Sequence, residues 1–296
     1  MKLRYIFTIG AVALLASCSN DIEGLTDSTD VMHFSVNLNS STRVTGSSFD
    51  ENDAIGVYVT QYSGDTATPL QVSGNYANNA KTVLSNGVWT STPTIYWGEG
   101  KFDVFAYYPY TTPSSVDEYP FTVALDQSTT KTDGSLGGYE ASDFLWAKAT
   151  GVSQTESVPL NFSHKMSRLV VNLVKSSDYT GSLPTDAVVR IHNTVPTAYI
   201  DLANGVVTKN SHESVQSITA HPFSADEESV KYEAIIVPQR LDNFLPFVEI
   251  LASGVSYMVE SKFVFKAGTT HTLTVELSDS PSNIKISIGG EISGWE

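Results

Sequence analysis

VMHFSVNLNSSTRVTGSSFDENDAIGVYV, residues 31–59, holds two apolar stretches separated by a polar one. In the first, Met32, Phe34, Val36 and Leu38 alternate with His33, Ser35, Asn37 and Asn39. Side chains on a strand point alternately to opposite faces, so 31–39 is predicted to be a strand with one buried face. Residues 40–46 are polar and loop-like. They include Arg43, the only Lys or Arg between Cys18 and Ala80. Ile55, Val57 and Val59 start the next strand. Burying the four apolar side chains of the first strand contributes roughly 6–12 kcal/mol gross, whereas whole domains are stable by only about 5–15 kcal/mol. A cut at Arg43 that released this strand would leave a groove in need of another, which is the physics of β-augmentation. The same residues fit a plainer reading, in which Arg43 is a solvated turn residue and the strand stays in place.

Residues 1–17 have the pattern of a signal peptide. Lys2 and Arg4 precede an apolar run from Ile6 to Ala16 that is too short to span a bilayer. The run ends in Leu15-Ala16-Ser17-Cys18, the pattern of a lipoprotein processing box, and Cys18 is the only cysteine. A lone thiol after small residues suits covalent lipid attachment, and it excludes both an intrachain disulfide and a multi-cysteine metal site. Two or three acyl chains anchor a protein firmly, whereas one does so only marginally. Residues 18–30, with Asp21, Glu23, Asp27 and Asp30 among small polar residues, read as an acidic flexible tether. Acidic residues just after the lipid-bearing cysteine resemble the export signal of surface lipoproteins in some Gram-negative bacteria.

A formal net charge of −15 argues against a nucleic-acid partner. Hydrophobic residues make up 41%, enough for real cores. Ser, Thr, Val, Tyr and Phe are abundant and long 3.6-residue periodicities are absent, so the predicted class is all-β. Strands are expected at 55–62, 82–84, 88–90, 94–97, 102–108, 121–125 and 143–147 in an N-terminal domain, 31–158. Asn86-Gly87 and Asn204-Gly205 are hairpin signals. Phe102–Tyr108 is apolar on both faces, as a central strand covered on both sides would be. A stretch from Gln127 to Tyr139 reads as a long surface loop. A C-terminal domain, 159–278, carries strands at 188–191, 198–202, 232–237, 247–251, 257–264 and 270–277. Leu160–Arg168 leads into an alternating strand through Leu169, Val171 and Leu173.

No catalytic constellation is present. The six histidines are scattered, and no metal-binding pair, nucleophile elbow, P-loop or dinucleotide glycine signature occurs. His164 beside Arg168 fits a hydrogen-bonded structural residue better than a catalyst. The expectation is therefore a non-enzyme with no metal and no cofactor beyond a lipid on Cys18. The aromatics Trp89, Tyr96, Trp97 and Tyr108 would form a glycan-binding platform only if their rings were exposed on one face.

The end of the chain mirrors its beginning. After a linker at 278–282, Ile284, Ile286 and Ile288 alternate with Lys285 and Ser287, and Gly289-Gly290 precedes Ile292 and Trp295. Chain ends are usually polar and frayed. This apolar tail, 279–296, is either the last strand of the second sheet or a strand meant for another molecule.

Taken in order, several pieces resemble the fimbrillin family of lipoprotein-derived pilins. They are the box at 15–18, Ser41–Gly46 with Phe49, Asp53 and Ile55–Tyr58, Ile95–Trp97, Phe105–Pro109, Leu160–Leu169, Ile236–Gln239, and the terminal Ile292 and Trp295. The resemblance implies two tandem Greek-key, transthyretin-like β-sandwiches. It also implies an outer-membrane lipoprotein precursor that a trypsin-like protease cuts after Arg43, making Val44 the new N-terminus and removing the strand of Met32, Phe34, Val36 and Leu38. Ile284, Ile286, Ile288, Ile292 and Trp295 then belong to a donor strand for the next fimbrial subunit. The finished fimbrium would support adhesion to a host or bacterial receptor. Family anchor subunits stay lipidated and uncut, and tip subunits can lack a donor tail, so an uncut anchor or tip role is the alternative.

Overall fold

The computed structural model describes residues 30–38, 48–129, 131–132, 135–252, 254–279, 285–288 and 293–294. The first half holds strands β1 (Phe34–Leu38), β2 (Ala54–Gln61), β3 (Ala77–Ser85), β4 (Val88–Thr92), β5 (Phe102–Tyr108) and β6 (Tyr119–Thr122), a short helix α1 (Gly138–Ser142), and β7 (Leu145–Val152). Next come β8 (Val158–His164), β9 (Ser167–Lys175), β10 (Val188–Thr194), β11 (Thr197–Asp201), β12 (Val206–Lys209), β13 (Gln216–Thr219) and β14 (His221–Ala225). The chain finishes with β15 (Ser229–Ile236), β16 (Gln239–Ala252), β17 (Val255–Phe265), β18 (Thr269–Leu277), β19 (Lys285–Ile288) and β20 (Ser293–Gly294). The all-β class is as predicted.

Four sheets result. A seven-stranded sheet has the order β1-β8-β7-β5-β2-β3-β4, and a six-stranded one runs β14-β15-β9-β18-β19, with β20 as its sixth strand, paired to β18. A four-stranded sheet is β13-β10-β16-β17 and a three-stranded one is β12-β11-β6. The last of these joins the halves, because β6 pairs with β11. Val158–His164 likewise hydrogen-bonds to strands of the first half, although the sequence places it at the head of the second.

β5 shows why a strand can be apolar on both faces. Phe102, Val104, Ala106 and Tyr108 enter one buried cluster, with Met32, Phe34, Val57 and Phe162. Phe105 and Tyr107 enter a second, which continues through the other half to Val275 and Leu277. The one carboxylate on this strand, buried Asp103, accepts hydrogen bonds from Tyr62 Oη (3.0 Å) and Gly151 N (2.8 Å). Both Asn-Gly signals mark hairpins. Asn86 and Gly87 have φ of 52° and 78° between β3 and β4. Gly205, at φ +66°, closes β11–β12 against Trp146, where a Cβ would lie 2.5 Å from the indole ring.

Some expectations need correction. Residues 121–125 are not one strand: β6 is Tyr119–Thr122. Thr94–Trp97 forms only a single bridge, Val31 to Tyr96. The stretch begun at Gln127 is not simply a surface loop, because Gln127 is fully buried. Its amide acts as a piece of strand: Nε2 donates to Ile235 O and Ile235 N donates to Oε1, both at 2.8 Å. Gln127→Ala leaves that N–H and C=O without partners in the core. Each such group costs about 1–3 kcal/mol, so urea unfolding is expected to show a loss of about 2–5 kcal/mol.

A second link ties α1 to the other half. Tyr139 Oη donates to Glu233 Oε2 at 2.5 Å, with Arg168 Nη1 at 3.8 Å from the same oxygen. Burial, and then the Glu233 charge, push the Tyr139 phenol well above its usual pKa.

Candidate functional site

The alternation at residues 32–38 has a structural counterpart. Met32 and Phe34 are buried, at 2% and 7% exposure, and Val36 and Leu38 are half-buried against the same cluster. His33, Ser35 and Asn37 face solvent. β1 lies parallel to β8, in a register from Phe34 opposite Val158 to Leu38 opposite Phe162. Its front end is held on both sides. Val158 N donates to His33 O (2.8 Å), Met32 N donates to Ile95 O (2.8 Å), and Trp97 N donates to Asp30 O (2.7 Å). A strand running parallel to its neighbour cannot reach it through a tight turn. β1 and β8 accordingly lie more than a hundred residues apart in the chain, and β1 continues into the rest only through 39–47.

The chain is gripped again directly after that segment. The Phe49 ring meets Trp89, Tyr108 and Phe162 edge-on, at centroid distances of 5.2, 5.4 and 5.4 Å. Lys131 Nζ binds Asp53 Oδ1 (2.9 Å) and Asp50 Oδ2 (3.2 Å). Burial opposes the charge on Lys131, but its bonds to Asp53 and Asp50 outweigh that and raise its pKa. Asn86 N donates to both Glu51 carboxylate oxygens. None of these contacts uses β1. Between the two grips, a cavity of about 290 Å³ is lined by Leu38, Ser48, Phe49, Asp143 and His164. His164 Nδ1 pairs with Asp143 Oδ1 at 2.9 Å, in keeping with its reading as a structural residue.

The tail has its own seat. β19 runs antiparallel to β18, with Lys285 opposite Glu276, Ile286 opposite Val275 and Ile288 opposite Leu273. Ser293-Gly294 pairs with Thr270 and Thr269. The opposite side of β18 is held by β9 over its full length. In the single chain the tail is thus the edge strand of its own six-stranded sheet. Cys18, Arg43, Val44, Ile284, Ile292 and Trp295 lie outside the described residues, as do the side chains of Ile286 and Ile288.

The four aromatics weighed as a glycan platform do not form one. Trp89 and Tyr108 are core residues and Trp97 is half-buried; only Tyr96, at 43%, is exposed. Among the described residues no group of three His, Cys, Asp or Glu is placed to hold a metal ion.

A family model described as fimbrillin-like matches residues 42–295. The chain belongs to the fimbrillin-like family. Fimbrillin-like proteins are fimbrial and adhesin proteins rather than enzymes, and membership implies a cell-surface location and association with other fimbrial subunits. A candidate cell adhesion protein from Bacteroides uniformis shares the fold at TM-score 0.67 and 22% identity, over 91% of this chain and 100% of that one. Another, from Bacteroides ovatus, gives 0.69 and 20% over 90% and 98%. A fimbrial protein from Bacteroides vulgatus gives 0.51 and 14% over 90% and 100%. A search of curated proteins finds no match. In this fimbrillin-like chain, sequence reasoning missed β8 as the partner of β1. The signal was present: Val158, Leu160, Phe162 and His164 alternate and are all buried.

Proposed function

We propose that the chain is a fimbrial subunit made as a lipid-anchored outer-membrane precursor and polymerised by strand exchange. Cys18 carries the lipid. A trypsin-like protease cuts after Arg43, Val44 becomes the N-terminus, and β1 leaves. The vacated seat on β8 then takes the tail of another copy, with Ile284, Ile286 and Ile288, extended by Ile292 and Trp295, in place of Met32, Phe34, Val36 and Leu38. A head-to-tail contact of this kind does not close on itself, so it grows a filament. The filament serves adhesion.

The observation that carries this reading is the seating of β1. It is apolar on one face, lies at a sheet edge, and is followed by contacts in which it takes no part. Met32 and Phe34 alone contribute about 3–6 kcal/mol by burial, so an emptied seat has a strong drive to refill.

The test is exchange in solution. Purified chain is nicked by trypsin at Arg43 and mixed with an excess of a peptide of residues 281–296, and bound species are weighed by native mass spectrometry. The peptide is expected to displace the fragment that contains β1. If that fragment stays seated, or departs without uptake of the peptide, the reading fails.

A further inference from the structure

We propose that the outer edge of β17 is a self-pairing surface, along which two copies of this chain join antiparallel about a two-fold axis at Ser261. β17 is eleven residues long and ends the four-stranded sheet; among the described residues it pairs only with β16. Protein sheet edges are normally blunted by brevity, proline, bulges or a cover. β4, β12 and β13 are four or five residues long, and β14 carries Pro222 and a register shift. β17 has neither Pro nor Gly. Where its ladder with β16 shifts register, the extra residues fall on β16: Leu241 and Leu245 face Phe263 and Ser261, and Pro246 and Val248 face Glu260 and Val259. β17 itself stays regular. Ser256, Met258, Glu260, Lys262 and Val264 are exposed, and the residues between them are buried or half-buried.

The occupant follows from the order of side chains. In an antiparallel ladder, opposite residues share a face and interact in pairs. With Ser261 opposite itself, Glu260 meets Lys262 of the second copy, and the reverse pair forms by symmetry. Met258 meets Val264, Val259 meets Phe263 and Tyr257 meets Phe265. Glu260 and Lys262 are the only charged residues of β17, so the match uses every charge it has. Moving the axis to Glu260 or Lys262 sets like charges opposite each other. A one-residue shift sets the apolar inner face of one copy against the outer face of the other. A lysine on an edge strand ordinarily deters pairing; here Glu260 offsets it at the mirrored position. The product is a continuous eight-stranded sheet. Its contact is isologous and uses neither β1 nor the tail, so it joins chains side by side rather than end to end.

Sedimentation velocity tests this on the full chain carrying Cys18→Ser and Arg43→Ala, so that neither lipid nor end-to-end growth contributes. A concentration-dependent dimer is expected. Glu260→Lys alone and Lys262→Glu alone each create two like-charge pairs and are expected to weaken the dimer at least about tenfold. The double swap restores it, which also shows that each substitution is compatible with the fold. A chain that stays monomeric at every concentration overturns the proposal. So does a dimer that the single swaps leave intact, or a double swap that does not recover.

Discussion

Replacing Arg43 by alanine is expected to leave an uncut, membrane-held chain and no fibres. Arg43 is the only Lys or Arg between Cys18 and Ala80, so a protease that needs one of them has no second choice there. Without the cut, β1 remains tethered to the molecule whose groove it fills. A tethered strand competes at a high effective concentration with any incoming one, and it keeps its apolar contacts, its ladder with β8 and the bonds that Asp30, Met32 and His33 just before it make with Trp97, Ile95 and Val158. The expected effect is therefore near total rather than graded. Material sheared from cells is expected to lack the polymer ladder, while the cell-bound chain keeps its precursor mass. Fibres of ordinary length from this variant would refute the cleavage step.

Removing residues 281–296 is expected to leave processing intact and stop chain growth. The truncation spares Asp279, whose carboxylate accepts hydrogen bonds from Thr180 N (3.1 Å) and Thr180 Oγ1 (2.8 Å). It also spares β18, which loses an edge partner but remains paired with β9 from Thr269 to Leu277. The second half should fold, so the loss isolates the tail's role. A truncated copy can still receive a strand but cannot give one. Mixed with the normal chain it should cap filaments, shortening them in proportion to its share. Unchanged polymer length, from the truncated chain alone or in mixtures, would rule out the tail as donor.

Local pattern carried part of this picture and non-local pairing the rest. Met32 to Leu38 and Phe102 to Tyr108 could be read from periodicity alone, because burial on one face or two is written directly into the order of side chains. What sits beside a strand is not written there. β1 pairs with a segment more than a hundred residues away, and Pro159 within β8 weakens the signal of that partner. The tail's isoleucines show a strand but not which sheet holds it; the structure seats that strand on β18. Gln127 was misread for a different reason. Its neighbours have a loop composition, and its amide is satisfied by the backbone of Ile235, a contact no local window contains. The Glu260–Lys262 symmetry of β17 is visible in sequence, but it gains meaning only once β17 is known to be an edge.

The most direct measurement is the mass of the N-terminal peptide of subunits sheared from the cell surface. The expected result is a chain beginning at Val44, with no residue of β1 present. Sheared subunits that begin at an acylated Cys18 and still contain Met32 to Leu38 would contradict it.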